Sequence, residues 1–363
     1  MYAKGEGTTK NLQKAFKWYD KIFINNIIRI INMTSKNKTV LVTGISGWIA
    51  QFCALALLKE GYKVRGSLRS MQRKEEVIKA LNKQVDINNN NLEFCSLDLL
   101  KDDGWDSAMQ DCEYVLHVAS PFSMTNPKDE NDMIKPAKEG TLRTLKSAKK
   151  AGVKRVVITS SIVAMAAHLK KGTFNTSSWT DLNATNLTAY EKSKTIAEKS
   201  AWDFIKNQDG GDTLELSVVS PGAVMGPTLS EDIEGTSLAI CTQILTKQMP
   251  ALPNIAFPMV DVRDVAKHHI QAMIHPDANG KRFISAEHKP TSMQNMASIL
   301  KSNGYDVPTK KMPSLLVKIM GLFNEEAKGM VSYLDRYVTC DNSDTINTFN
   351  WTPTPLEKTF LDI

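Results

Sequence analysis

The sequence predicts an α/β fold, a doubly wound parallel sheet followed by a smaller C-terminal cap. Three observations carry that expectation. Short apolar, β-branched runs alternate with helical stretches from about residue 38 to residue 220, the pattern of parallel strands joined by crossover helices. The first run breaks at glycines and passes straight into a helix. Beyond Pro221 the alternation lapses, and Pro227, Pro250, Pro253 and Pro258 punctuate the chain. With 363 residues, 42% of them hydrophobic, one large or two modest domains can bury a substantial core.

The first element is Lys38 to Val42, a strand buried on both faces, followed by Thr43-Gly-Ile-Ser-Gly-Trp-Ile-Ala50. Gly44 permits a tight turn, Gly47 removes a side chain where backbone must approach an anion, and small Ala50 lets the helix press on the strand. Ser46, Trp48 and Ile49 complete the bend, and the free N–H groups of the helix start face a pyrophosphate. The helix keeps an apolar face to Lys59 and stops at Gly61.

Tyr62 to Leu68 reads as the second strand, ending at Arg69. An acid at this strand end accepts hydrogen bonds from the ribose of a non-phosphorylated dinucleotide. No acid stands between Val64 and Arg73, and Arg69, Arg73 and Lys74 supply cations for a 2′-phosphate, so NADPH/NADP is expected over NADH, with Arg69 and Lys74 as the contacts. A third strand from Asn91 ends at Asp98-Leu99, bordering an adenine ring. Trp105 to Gln110 is a short helix. The fourth strand, Tyr114 to Ala119, closes with Val118, Ala119 and Ser120 beside the dinucleotide, and His117 is expected to be a buried strand residue. A helix from Asp132 to Ala151 leads to the fifth strand, Val153 to Thr159.

Reactive side chains gather at the carboxyl end of that strand. Thr159-Ser160-Ser161 terminates it, and Tyr190 and Lys194 follow one helical turn apart on a helix running to about Lys206. An ammonium beside a phenol favours the phenolate and is expected to lower its pKa from ~10 toward neutrality, so that the tyrosine exchanges a proton with a substrate oxygen. Ser161 donates a hydrogen bond to the same oxygen, Lys194 also holds a ribose, and Ser160 rivals Ser161 for the serine role.

These motifs resemble the extended short-chain dehydrogenases/reductases, in the dihydroflavonol-reductase-like branch of plant flavonoid and cinnamoyl reductases and fungal ketone and methylglyoxal reductases. The likeness runs from about Lys38 to the C-terminus and includes Ser220-Pro-Gly-Ala-Val-Met-Gly-Pro227 and Val260-Asp-Val-Arg-Asp-Val-Ala266. It implies a Rossmann domain over 37–220, a substrate-binding cap over 221–363 with a return segment near 255–275, and catalytic Ser161, Tyr190 and Lys194. Pro221, Gly222 and Val224 would line a nicotinamide. The implied activity is NADPH-dependent reduction of an aldehyde, ketone or diketone. Flavonoid-reducing relatives tend to carry a polar amide four residues after the catalytic serine; Met165 stands there, with Val163 and Ala164, so an apolar substrate wall is expected. Alternatives are an NAD-dependent sugar-nucleotide epimerase or dehydratase, a hydroxysteroid dehydrogenase/isomerase, or a non-enzymatic cofactor-sensing protein.

Charge and cysteines exclude other classes. Residues 1–38 hold eight Lys/Arg against Glu6 and Asp20, an excess equal to the whole chain's formal charge of +6. The rest is balanced, so no nucleic-acid surface is expected. Five scattered cysteines without metal-ligand spacing fit reduced thiols in a cytoplasmic protein. His268 and His269 lack partners at metal spacing, Asp261 and Asp264 read as structural, and no metal is expected. Ile22 to Ile31, interrupted by Asn25, Asn26 and Arg29, is too short to span a membrane. A monomer or homodimer acting on a small carbonyl compound is the expected unit. Residues 2–22 resemble part of one Sel1-like repeat with no second copy to pack against, so residues 1–36 are expected to be an appendage outside the catalytic fold.

Overall fold

A computed structural model describes residues 38–88, 90–122, 127–185, 187–209, 213–230 and 236–363; the Sel1-like stretch lies outside them. In chain order the strands are β1 (Thr39–Val42), β2 (Lys63–Leu68), β3 (Leu92–Ser96), β4 (Cys112–His117), β5 (Arg155–Thr159), β6 (Lys171–Phe174), β7 (Glu215–Pro221), β8 (Ala223–Met225), β9 (Ala256–Asp261), β10 (Arg282–Ser285), β11 (Pro290–Ser292) and β12 (Tyr337–Cys340). Four long helices frame the site: α1 (Trp48–Lys59), α2 (Asn131–Lys150), α3 (Ala189–Lys206) and α4 (Val262–Ile274).

The main sheet has seven parallel strands in the order β10-β7-β5-β4-β1-β2-β3. After β1 the chain first builds outward through β2 and β3, then crosses back to β4 on the other side. That reversal leaves a crevice at the carboxyl ends of β1 and β4, where open α/β sheets take their ligands. Helices α1 and α4 pack together on one face of the sheet, and α2 and α3 on the other. Each pair buries an apolar stripe against strands such as Val40-Leu41-Val42 and Val156-Val157-Ile158, all fully or nearly fully buried, which is why these strands read as continuous apolar runs.

A three-stranded sheet, β11-β9-β8, and the pair β12-β6 form the smaller part. Its own core gathers Met225, Cys241, Ile244, Met259, Met296 and Val317. Met312 and Met330 pack against that core, whereas Met320 is exposed.

Two boundaries differ from expectation. Arg282–Ser285, placed in the cap by sequence, is β10 and pairs in parallel with β7 at the edge of the main sheet. Four residues are too few to show a period, so burial of Phe283 inside the main core could not be read in advance. The return also starts later than residue 255, because β9 stays in the small sheet and α4 is the element that comes back. Asp261 caps α4 by accepting from the Arg263 N–H at 2.8 Å, and Asp264 accepts from the Thr354 N–H at 2.7 Å, so both carboxylates hold chain segments together.

Candidate active site

The bend after β1 is built by three interlocking contacts. Gly44 takes φ +65°, and a Cβ there would meet Ala119 at 3.0 Å. Its N–H donates to the Ser67 hydroxyl at 3.0 Å, while the Gly47 N–H donates to the Gly44 carbonyl at 2.8 Å. Thr43 joins β1 to the end of β4. Its Oγ1 accepts from the Val118 and Ala119 N–H groups at 3.1 and 3.0 Å and lies 3.0 Å from His117 Nδ1. Burial pushes His117 down to about 3, which makes it a neutral core imidazole.

A cleft of about 680 Å³ opens over this bend. Gly44, Ser46, Gly47, Trp48 and Ile49 floor it, and the first-turn N–H groups of α1 have no intrahelical acceptor by the geometry of any α-helix. No acidic side chain occupies that first turn. Arg69 borders the cleft at the end of β2, Asp98 and Leu99 after β3, and Val118, Ala119 and Ser120 after β4. Ser160, Ser161, Tyr190 and Lys194 line the far end together with Pro221, Gly222 and Val224. Gly222 is also where the two sheets meet, since a Cβ there would lie 2.2 Å from the Pro258 carbonyl oxygen.

Lys74 is the one proposed contact that the fold takes elsewhere. Met71–Arg73 forms a 3-10 turn, which rotates the next residue away, and the Lys74 ammonium sits 5.7 Å over the Phe94 ring. Arg73 faces the cleft instead, its guanidinium 3.2 Å from the Ser46 hydroxyl and paired with Glu76 at 2.8 Å. Thr43, Ser67 and Phe122 also line the cleft without having been singled out. For Thr43 the available signal was a hydroxyl directly after the apolar run Val40-Leu-Val42. Phe122 carried none, yet its ring packs edge-on against Tyr190 at 4.9 Å between centroids.

Helix α3 starts with a reciprocal cap. The Thr188 hydroxyl accepts from the Glu191 N–H at 3.2 Å and the Glu191 carboxylate accepts from the Thr188 N–H at 2.8 Å, which fixes Tyr190 in the first turn. The Ser161 hydroxyl shares the cleft wall with the Tyr190 phenol and acts to lower its pKa. Ser160 points the other way, donating to the buried Glu198 carboxylate at 2.5 Å. Lys194, one turn after Tyr190, donates to the Thr159 carbonyl at 3.0 Å.

Electrostatics correct one expectation. Burial pushes the Tyr190 phenol up to about 12 despite the opposing pull of Ser161, and pushes Lys194 down to about 8. Desolvation of both groups outweighs the downward pull expected from the ammonium on the phenol. At neutral pH the phenol therefore keeps its proton. Met165 is a second correction. It is fully buried with Phe174, Ile284 and Val338 rather than facing the cleft, so it forms no substrate wall. The short helix Val163–Ala166 turns it inward.

A doubly wound sheet, a glycine bend under a long cleft, and serine, tyrosine and lysine at its far end define the class as an extended short-chain dehydrogenase/reductase. The chain belongs to the NAD dependent epimerase/dehydratase family, whose model matches residues 40–284. It is 34% identical over 287 residues to the NADPH-dependent methylglyoxal reductase GRE2 of Saccharomyces cerevisiae, covering 72% of this chain and 81% of that one. It is also 34% identical over 261 residues to the cinnamoyl-CoA reductase CAD2 of Medicago truncatula, with 69% and 78% covered. The crystal structure of yeast methylglyoxal/isovaleraldehyde reductase Gre2 complexed with NADPH superposes with a TM-score of 0.73 at 29% identity, covering 89% of this chain and 96% of that one. Among the described residues no helix is long and apolar enough to cross a membrane, and no group of three or more His, Cys, Asp or Glu side chains is placed to hold a metal ion.

Proposed function

We propose that this chain is an NADPH-dependent carbonyl reductase in which Tyr190 gives a proton to the oxygen of an aldehyde, ketone or diketone. The observation that carries the reading is the gathering of Ser161, Tyr190 and Lys194 at the far end of the same cleft that the glycine bend floors. The residues present suit the dinucleotide. A bare helix start at Gly47 and Trp48 fits a diphosphate, and the acid-free end of β2, with Arg69 and Arg73 on the wall, fits a 2′-phosphate better than a ribose hydroxyl. Relatives whose names specify NADPH support the same choice.

The bound nicotinamide would supply hydride to the carbonyl carbon. Ser161 donates a hydrogen bond to the carbonyl oxygen, and the Tyr190 phenol, protonated at neutral pH, transfers its proton as negative charge develops there. Lys194, charged below about pH 8, stabilises the phenolate left behind and hydrogen-bonds the ribose. Phe122 offers an apolar surface beside the reacting phenol.

NADPH oxidation against a panel of aldehydes, α-diketones and dihydroflavonols, with NADH in parallel, tests the reading. Tyr190→Phe should lower turnover roughly 10²–10⁴-fold while NADPH still binds. Undiminished turnover in that variant would remove the tyrosine from the mechanism.

A further inference from the structure

Behind the reactive face lies a buried polar cluster that the reaction above does not use. Glu198 sits one turn after Lys194 on α3 and is 1% exposed. One of its oxygens accepts from Arg282 Nε at 2.6 Å and from Trp202 Nε1 at 3.2 Å; the other accepts from the Ser160 hydroxyl at 2.5 Å. Arg282 is itself clamped. It donates to the Thr176 and Ser178 carbonyls at 2.9 and 2.6 Å, and its guanidinium stacks 3.9 Å above the Trp179 ring. A carboxylate held this firmly cannot turn toward solvent.

Glu198, Ser160, Lys194 and His117 share the wall of one small internal cavity of about 10 Å³, room for a single water at most. The groups that face Lys194 can be taken element by element. On α3 they are Tyr190 and Glu198. His117 approaches from β4 and His269 from α4, and burial holds both imidazoles neutral, at about 3 and about 4. From β5 come only the Thr159 carbonyl and the serines. Among the described residues, Glu198 is thus the one full negative charge acting on the ammonium.

Building on the reductase reading, we infer that Glu198 is a positioning residue. Anchored by Arg282, it fixes through Ser160 the turn that presents Ser161, and it keeps the Lys194 ammonium charged in a dry site. The role needs charge as well as shape, which separates it from a merely structural contact. A negative charge on the wall of the same buried cavity raises an ammonium pKa, by about 1–3 units at the closest separations, and its removal lets desolvation act unopposed.

Glu198→Gln keeps the side-chain shape and an acceptor for Ser160 but discards the charge. Two measurements read it. The pH-dependent reactivity of the Lys194 amine toward acetic anhydride, followed by peptide mass, needs no turnover; its midpoint should fall by about one pH unit. The alkaline limb of kcat/KM should move down by the same amount, and Glu198→Asp should restore both. If Glu198→Gln does not fold because Arg282 is left unpaired, the double variant Glu198→Gln with Arg282→Gln keeps the test, with a smaller downward shift expected because the guanidinium paired with Glu198 at 2.6 Å is lost with the carboxylate. A Lys194 midpoint within 0.2 unit of wild type, roughly the error of such a titration, overturns the role of Glu198. Full activity in Tyr190→Phe would instead overturn the reductase reading, so the two failures are distinct.

Discussion

At the scale of single residues, the proposed preference for NADPH rests on two guanidinium groups. Arg69 and Arg73 border the cleft past β2, and Arg73 is at present shared between Glu76 and the Ser46 hydroxyl. A charge-assisted bond to a phosphate contributes about 1.5–3 kcal/mol, so Arg73→Ala should raise the KM for NADPH roughly ten- to a hundredfold and leave NADH kinetics nearly unchanged. Equal effects on both cofactors would show that Arg73 acts on the bend rather than on a phosphate. The absence of an acid at this strand end was legible from composition alone. Which of the neighbours Arg73 and Lys74 turns inward was not, because a 3-10 turn sets that direction. Met165 was misread for the same reason: a count of four residues from a serine gives no side-chain direction once a short helix intervenes.

At the scale of elements, the pieces that carry chemistry announce themselves locally. The bend between β1 and α1 needs glycine at fixed places, and the Tyr190 and Lys194 spacing is simply one turn of α3. The cap of α3 by Thr188 and Glu191, three residues apart, is also a local pattern, although neither residue was singled out from the sequence. Thr188→Ala should cost about 1 kcal/mol, lowering the thermal midpoint by about 2 °C in a chain of this size. The phenol is two residues inside the cap. Turnover should therefore fall more than that small loss of stability implies; a fall confined to the thermal midpoint would separate the cap from the site. Elements defined by distant pairing were opaque. Nothing local distinguishes β10, which lies beside β7, from β11, which lies beside β9.

At the scale of the whole molecule, three buried imidazoles stitch strands to helices. His117 lies between Thr43, just after β1, and Thr144 of α2, His269 of α4 bonds Thr159 of β5 at 2.7 Å, and His268 bonds Ser285 of β10 at 2.7 Å. Burial pushes all three down, to about 3, about 4 and about 3, from an unfolded value near 6.5. The unfolded chain therefore binds more protons below pH 6.5. Stability is fully present above that pH and is lost as the pH falls toward the folded values. Each histidine contributes a slope approaching ~1.4 kcal/mol per pH unit, about 4 kcal/mol per unit for the three between pH 6 and 4.5. Glu191 and Glu287, raised by burial, act in the opposite sense and offset part of this toward the acid end of the window. His275, also buried and lowered, adds in the same sense, so calorimetry from pH 7 to 4.5 should show a steep fall in the thermal midpoint, and His268→Gln, which can retain the bond to Ser285, should flatten it by roughly a quarter to a third. A midpoint independent of pH across that range would mean that the imidazoles take up protons inside the fold, and the sheet would then not be sealed against water where α4 crosses it.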